Sequence, residues 1–440
     1  MTTAHERTRR ETSSAPRWPV PRLIPLLILL VSVTGLPAQQ LPYDVEYPTV
    51  GYSTSAPTDR ITDLDSAIER GEIELSFDAQ SGYLASVLDE LGISRASQML
   101  VFSKTSFQEH FISPETPRAI YFTDDVYVAW LRGGDLLEIA TLDPNLGPVF
   151  YTLEQQRADM PRFQRRMGLC LACHDTYGLT GGGVPRFLIG SGPTTALGGS
   201  AAHEGWQLTT DRTPIRERWG GWYVTGTHGT QEHMGNVIIR DPAEVTARDL
   251  TSNGNLTDLG DLLDTRPYLG EHSDIVALMV AEHQLSVQNL ITRAGWEARG
   301  ALHADPASPR VEELAEPVVR AMLFVDEAAL SGPISGTSGF RSHFENRGPW
   351  DERGRSLRRL DLTKRLFRYP LSYVIYSAAF DALPQPVKER VYRRVWEVLA
   401  DEDRSAAFDH LSDTDRAATL GILRATKADF ARWMATNGVG

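Results

Sequence analysis

Cysteine is nearly absent from this sequence: two thiols serve 440 residues. That excludes a disulfide-stapled scaffold, which needs several bridges. Long apolar runs are also scarce. The most continuous, Leu23 to Val33, covers about eleven residues, against the roughly 20 of a spanning helix. Basic charge is in deficit, with 44 Lys and Arg against 57 Asp and Glu and a net charge of −13. Such a chain lacks the cationic surface that nucleic-acid backbones require. No low-complexity tract, repeat, Walker loop or dinucleotide fingerprint is visible, and no serine–histidine–acid pattern stands out. Gly178–Gly183 is glycine-rich but lacks the Gly-Lys-Ser/Thr ending of a phosphate loop.

What is present begins with a leader. Arg7, Arg9, Arg10, Arg17 and Arg22 precede the apolar run, and Gly35-Leu-Pro-Ala38 follows it. This is the layout of a secretory signal cleaved after Ala38, and export to the periplasm is expected. The mature chain would then carry −16 and no membrane span. An uncleaved leader would instead serve as an anchor.

Residues 39–75 read as an extended, Pro-rich lead-in, and Tyr83–Leu91 as a helix. Ala119–Phe122 and Val126–Leu131 flank Thr123-Asp-Asp125 as a hairpin. Asp135–Thr141 and Val149–Leu153 continue the strand alternation. Glu154–Arg166 reads as a short polar helix and Trp219–Thr225 as a further strand. Helical patterns then cover Ser273–Arg299, Arg310–Leu330, Leu371–Leu383 and Val387–Leu399. The basic stretch Arg353–Arg368 reads as a solvated helix face or a docking patch for an acidic group.

Both cysteines lie in Cys170-Leu-Ala-Cys173-His174. Two thiols three apart on one helical turn can each add to one vinyl group of a haem. The adjoining imidazole then lies under the iron as proximal ligand. A redox dithiol would be expected at a helix start directly after a strand. Zinc would need a fourth ligand, since Cys170, Cys173 and His174 supply at most three. A disulfide here would close too small a loop to stabilise much. The tetrad resembles the attachment motif of c-type cytochromes, which implies one covalent haem c. The segments "RWGGWYVTGTHG", "EHMGN" and "LFRYPLSYVIYSAAFDALP" are similar to exported bacterial proteins of undefined activity carrying one such motif. The order of hairpins, tetrad and Gly-Trp strand also resembles, at the level of fold, a PAS-like haem sensor.

Candidates for the far side of the iron are His228, His233 and Met234, clustered in the loop Thr227–Asn236. His203, Met160 and Met167 are outsiders. So is His283, which shares a helix face with Met279 and Leu290 and points toward an apolar interior. Arg186 and Arg218 are candidate partners for haem propionates. Trp219, Trp222 and Tyr223 are candidates for the pocket wall.

The expected fold class is α+β: a β-hairpin-rich N-terminal region with a haem c segment, followed by a mainly helical C-terminal domain. The boundaries are 1–38 for the signal peptide, 39–155 for the α+β region, 156–242 for the haem c-binding region and 243–440 for the helical domain. The expected function is electron transfer by an exported mono-haem cytochrome with a redox partner protein. A haem oxidoreductase with an open distal site and a haem sensor of gas or redox state are the alternatives.

Overall fold

The six strands β1 (Met99–Val101), β2 (Arg118–Phe122), β3 (Val126–Trp130), β4 (Leu136–Asp143), β5 (Gly147–Glu154) and β6 (Gln164–Arg165) form one antiparallel sheet in strict sequence order. This is seen in a computed structural model that describes residues 49–201, 205–241, 250–252 and 254–439. The signal segment 1–38 and His203 lie outside the described residues. Register follows the hairpin chemistry: Phe122 pairs with Tyr127 across Thr123-Asp-Asp125, and Ile139 pairs with Tyr151 in the longer ladder. Successive side chains alternate between the faces, and both faces are buried. Tyr121, Val126, Val128 and Ile139 point to one core, while Phe122, Tyr127 and Leu142 point to the other.

Helices cover both faces. On the first, α1 (Arg60–Glu69) and α2 (Leu84–Glu90) bury Ile61, Leu64, Ile68, Leu84, Val87 and Leu88. The tetrad follows β6 on α3 (Gly168–His174), and α4 (Tyr177–Thr180) comes next. The second face is covered by α5 (Ile275–Ala304), a 30-residue helix buried along most of its length. Its N-cap Asp274 accepts from the N–H groups of Val276 and Ala277, at 2.8 and 3.2 Å. Around it lie α6 (Arg310–Met322), α7 (Phe340–Glu345), α8 (Ala378–Asp381), α9 (Gln385–Leu399), α10 (Asp413–Thr426) and α11 (Ala428–Asn437). The chain is therefore α+β, with the sheet N-terminal and the helices C-terminal. The described residues belong to one compact unit. Among the described residues no helix is long and apolar enough to cross a membrane.

Several local expectations are corrected. The lead-in is not wholly extended, because Asp59 caps α1 by accepting from the N–H groups of Ile61 and Thr62, at 3.0 and 2.9 Å. The other oxygen of Asp59 accepts from Thr141 and Tyr151, at 2.7 and 2.8 Å, fastening α1 to the sheet. Residues 154–166 are not helical. Arg162 reaches Asp65 at 2.7 Å, the Phe163 N–H donates to Asp65 at 2.9 Å, and Gln164–Arg165 pairs with β5 instead. Pro161 would also have broken a helix there.

Trp219–Thr225 is not a strand, since Trp219 and Gly221 have φ of +68° and +85°. It makes only isolated bridges, Val101 with Trp222 and Thr225 with Asp274. The Gly-Trp strand behind the PAS-like resemblance is thus missing. Arg353–Arg368 is no helix face either. Arg355, Arg358, Arg359 and Arg365 pair with Asp351, Asp124, Glu345 and Asp415, so much of the basic run is neutralised within the chain.

Gly226 links this irregular segment to α5. It has φ of +153°, and a Cβ there would lie 2.4 Å from Ile275 Cγ2 and 2.7 Å from the Ser335 carbonyl. Neither neighbour is the end of a long, flexible side chain. Gly226→Ala is expected to cost about 1–3 kcal/mol, read as a lowered urea midpoint at unchanged slope.

Candidate haem-attachment site

Helix α3 places Cys170 and Cys173 one turn apart, both as free thiols, with Cys173 exposed and Cys170 half-buried. Burial pushes the Cys170 thiol up to about 11, reinforced by the Glu138 carboxylate and opposed by Arg166. A dithiol oxidoreductase needs the opposite, a thiol held low enough to ionise near neutrality. Among the described residues no group of three or more His, Cys, Asp or Glu side chains could hold a metal ion. The zinc reading therefore lacks its further ligands.

His174 ends the helix, and its ring is oriented from two sides. Nδ1–H donates to the Arg186 carbonyl at 2.7 Å, and the Phe150 ring packs 4.4 Å away, centroid to centroid. A hydrogen bond from Nδ1 fixes the tautomer that leaves the Nε2 lone pair for a metal. Among the described residues Nε2 makes no hydrogen bond. Burial lowers His174 to about 4, so the ring is neutral at physiological pH. Leu169 and Tyr177, 53% and 71% exposed, leave unusual apolar surface beside the thiols. Free thiols one turn apart, an oriented imidazole with a spare nitrogen and an uncovered apolar rim fit a covalently attached haem.

Helix α5 positions this arrangement from a distance. The Asn289 amide accepts from the Phe187 N–H at 2.8 Å and donates to the Phe187 carbonyl at 2.9 Å. The neighbouring Arg186 carbonyl is thereby set for His174, while the Arg186 N–H donates to the His174 carbonyl at 2.9 Å. Arg293 donates to the Thr180 carbonyl at 2.9 Å and Arg186 to the same oxygen at 3.4 Å. Gly181, Gly182 and Gly183, all at positive φ, connect α4 to the segment that supports His174. Arg186 Nε is buried without a partner, which keeps this side chain a candidate for a propionate.

The other expected residues sit elsewhere. His228 is buried, with Nδ1 and Nε2 2.8 and 3.2 Å from the carbonyls of Gln231 and Gly254. His233, fully buried, packs on His228 and Trp219 with ring centroids 4.7 and 5.4 Å away, and neither ring nitrogen has a partner. Met234 Sδ meets the Ser191 hydroxyl at 3.7 Å. No hydrogen bond or ring contact among the described residues joins His174 to His228, His233, Met234 or His283. Met160 is half exposed, and Met167 directly precedes α3 and packs on the core. Trp219, Trp222 and Tyr223 are core residues, with Trp222 donating to the Gly190 carbonyl and Tyr223 to that of Pro114. Arg218 is committed to Glu282, 3.0 Å away and equally buried.

One array escaped the sequence reading. His283 Nδ1 lies 2.7 Å from Asp211 Oδ2 and its Nε2 2.7 Å from Ser372 Oγ. A serine–histidine–aspartate line therefore exists, assembled across 161 positions of sequence. All three side chains are buried, the imidazole stacks on Phe324 at 4.5 Å, and Ser372 also caps the Val374 N–H at 3.3 Å. With no open face for a substrate, the line works as a core hydrogen-bond relay. No sequence signal could have found it, because Asp211 reads as a loop residue, Ser372 as part of the helical pattern Leu371–Leu383, and nothing local ties either to His283.

Comparison of the chain with family models, with curated proteins and with solved structures finds no match in any of the three.

Two predictions concern the polar cluster beside this relay. Arg218→Met strands Glu282 as an unpaired buried carboxylate and is expected to cost about 3–5 kcal/mol, measured by chemical denaturation. Burial raises Glu327 to about 7, from 4.5, although the Leu366 N–H stabilises its charged form. The folded chain holds a proton that the unfolded chain releases, so this stabilisation is full below pH 4.5 and is lost as pH rises through about 7. Glu327→Gln should match the native protein at pH 4 and exceed its stability at pH 8 by about 1–3 kcal/mol.

Proposed function

We propose that the chain is an exported mono-haem c-type cytochrome, with Cys170 and Cys173 as the thioether residues and His174 as the proximal iron ligand. The observation that carries this reading is the Nδ1–H bond from His174 to the Arg186 carbonyl, with no hydrogen bond to Nε2 among the described residues and two free thiols on the same helix. A bound haem c supplies a one-electron iron couple. The protein's own part is to keep His174 neutral by burial and to hold its ring between Phe150 and Arg186. Exposed Cys173, Leu169 and Tyr177 leave this side of the molecule accessible to a redox partner protein.

A second reading, an open distal side serving oxidoreductase chemistry or gas sensing, is favoured by a separate observation. The ring nitrogens of His228 and His283 are already engaged by carbonyls and side chains, which removes two of the expected distal ligands and leaves His233 as the one described distal candidate whose ring nitrogens have no partner.

Expression with haem-maturation machinery tests both. Haem staining on a denaturing gel should follow the chain, and Cys170→Ser with Cys173→Ser should abolish it. A native chain without covalent haem ends the cytochrome reading. A six-coordinate electron carrier should resist carbon monoxide, whereas a prompt spectral shift of the reduced protein decides for the open site.

A further inference from the structure

Away from the tetrad, the turn between β4 and β5 lies against the C-terminal half of α5, and a cleft of about 280 Å³ opens beside it. Thr49, Val50, Asp143, Asn145, Leu146 and Arg299 are among its lining residues. The close approach of turn and helix depends on Gly147, whose φ is +74° and whose added Cβ would lie 2.2 Å from Thr292 Cγ2. Under Arg299 the cleft adjoins a second cavity of about 10 Å³, lined by Thr292, Trp296 and Leu383, room for one water.

The polar groups here are unbalanced toward donors. Arg299 donates to the Asn145 carbonyl, and no carboxylate lies within ion-pair distance of it among the described residues. Thr292 and Trp296 are 6% and 3% exposed, yet Thr292 Oγ1 and Trp296 Nε1 have no hydrogen-bond partner. Thr49 Oγ1, on the cleft wall, is likewise buried and unpartnered. The one acid, Asp143, is saturated: it accepts from the N–H groups of Thr58, Asn145 and Leu146 and from the Thr58 hydroxyl. It therefore offers nothing to a cation.

We propose that this cleft binds a small organic carboxylate, with Arg299 as its charge partner and Val50 and Leu146 against its apolar part. A guanidinium matches a carboxylate in a two-pronged geometry. A phosphate dianion is disfavoured, because a single cation stands here beside the Asp143 carboxylate. The unpartnered indole N–H and hydroxyl below Arg299 complete the anion's surroundings through the water-sized cavity. Burial also holds the Arg299 guanidinium below its ordinary range, with Asp143 opposing.

The test is calorimetric titration of the haem-loaded protein with benzoate and, separately, with inorganic phosphate. Benzoate should bind saturably, and Arg299→Gln should weaken it about tenfold or more, with haem content and spectrum unchanged. The Trp296 indole N–H resonance, assigned through Trp296→Phe, should shift on titration of the native protein. This readout stands even if Arg299→Gln does not fold. Phosphate binding without benzoate binding, no saturation below about 10 mM (roughly −3 kcal/mol), an unmoved indole signal, or an Arg299→Gln variant that binds equally well each overturns the proposal.

Discussion

Helix α5 is buried along most of its length and yet carries Glu282, His283, Gln284, Gln288 and Asn289 into the interior. An unpartnered polar group in such a place is costly, so each needs a partner from another part of the chain. Glu282 takes Arg218, and His283 takes Asp211 and Ser372. Gln284 donates to the Thr123 carbonyl and accepts from Tyr373, and Gln288 accepts from Tyr127 in the same hairpin. Asn289 holds the backbone of Phe187. The helix thereby fixes the hairpin, the loop before Arg218, the turn at Ser372 and the segment behind the tetrad relative to one another.

The candidate haem site inherits its precision from that arrangement. The tetrad helix is short, and its Cys173 is exposed, so local structure alone would orient His174 poorly. Its ring is set instead by an acceptor on Arg186, and Arg186 is set by the grip of α5 on the next residue. A hydrogen bond to the far nitrogen of a ligating histidine commonly governs its basicity and direction. Elsewhere in the core, His283 illustrates the other fate of a buried imidazole: both nitrogens are engaged and both faces are packed. His233 is packed on His228 and Trp219 but has neither nitrogen engaged.

Elements governed by local pattern were legible. The Thr123-Asp-Asp125 hairpin, the β4–β5 ladder, α2 and the long C-terminal helices follow alternation or helical periodicity over several residues. Helix α1 was missed, although Asp59 precedes Ile61, Leu64 and Ile68 at helical spacing, because the Pro and Ser residues before it masked the signal. Residues 154–166 and 219–225 were misread for another reason. Their conformations are imposed by distant partners, Asp65 for the first and the backbones of Leu100 and Ser273 for the second.

By itself the sequence determined the α+β class, the sparse thiol chemistry and the proximity of Cys170, Cys173 and His174, because these depend on composition and on neighbours within one helical turn. Tertiary structure decided which nitrogen of His174 is spare, that Arg218 belongs to Glu282, and that Asp211, His283 and Ser372 stand in line. It also left Arg299 at the edge of a cleft with no ion pair among the described residues. Each of these depends on the direction of a side chain toward a partner tens or hundreds of residues away, and hydrophobic periodicity carries no information about that direction.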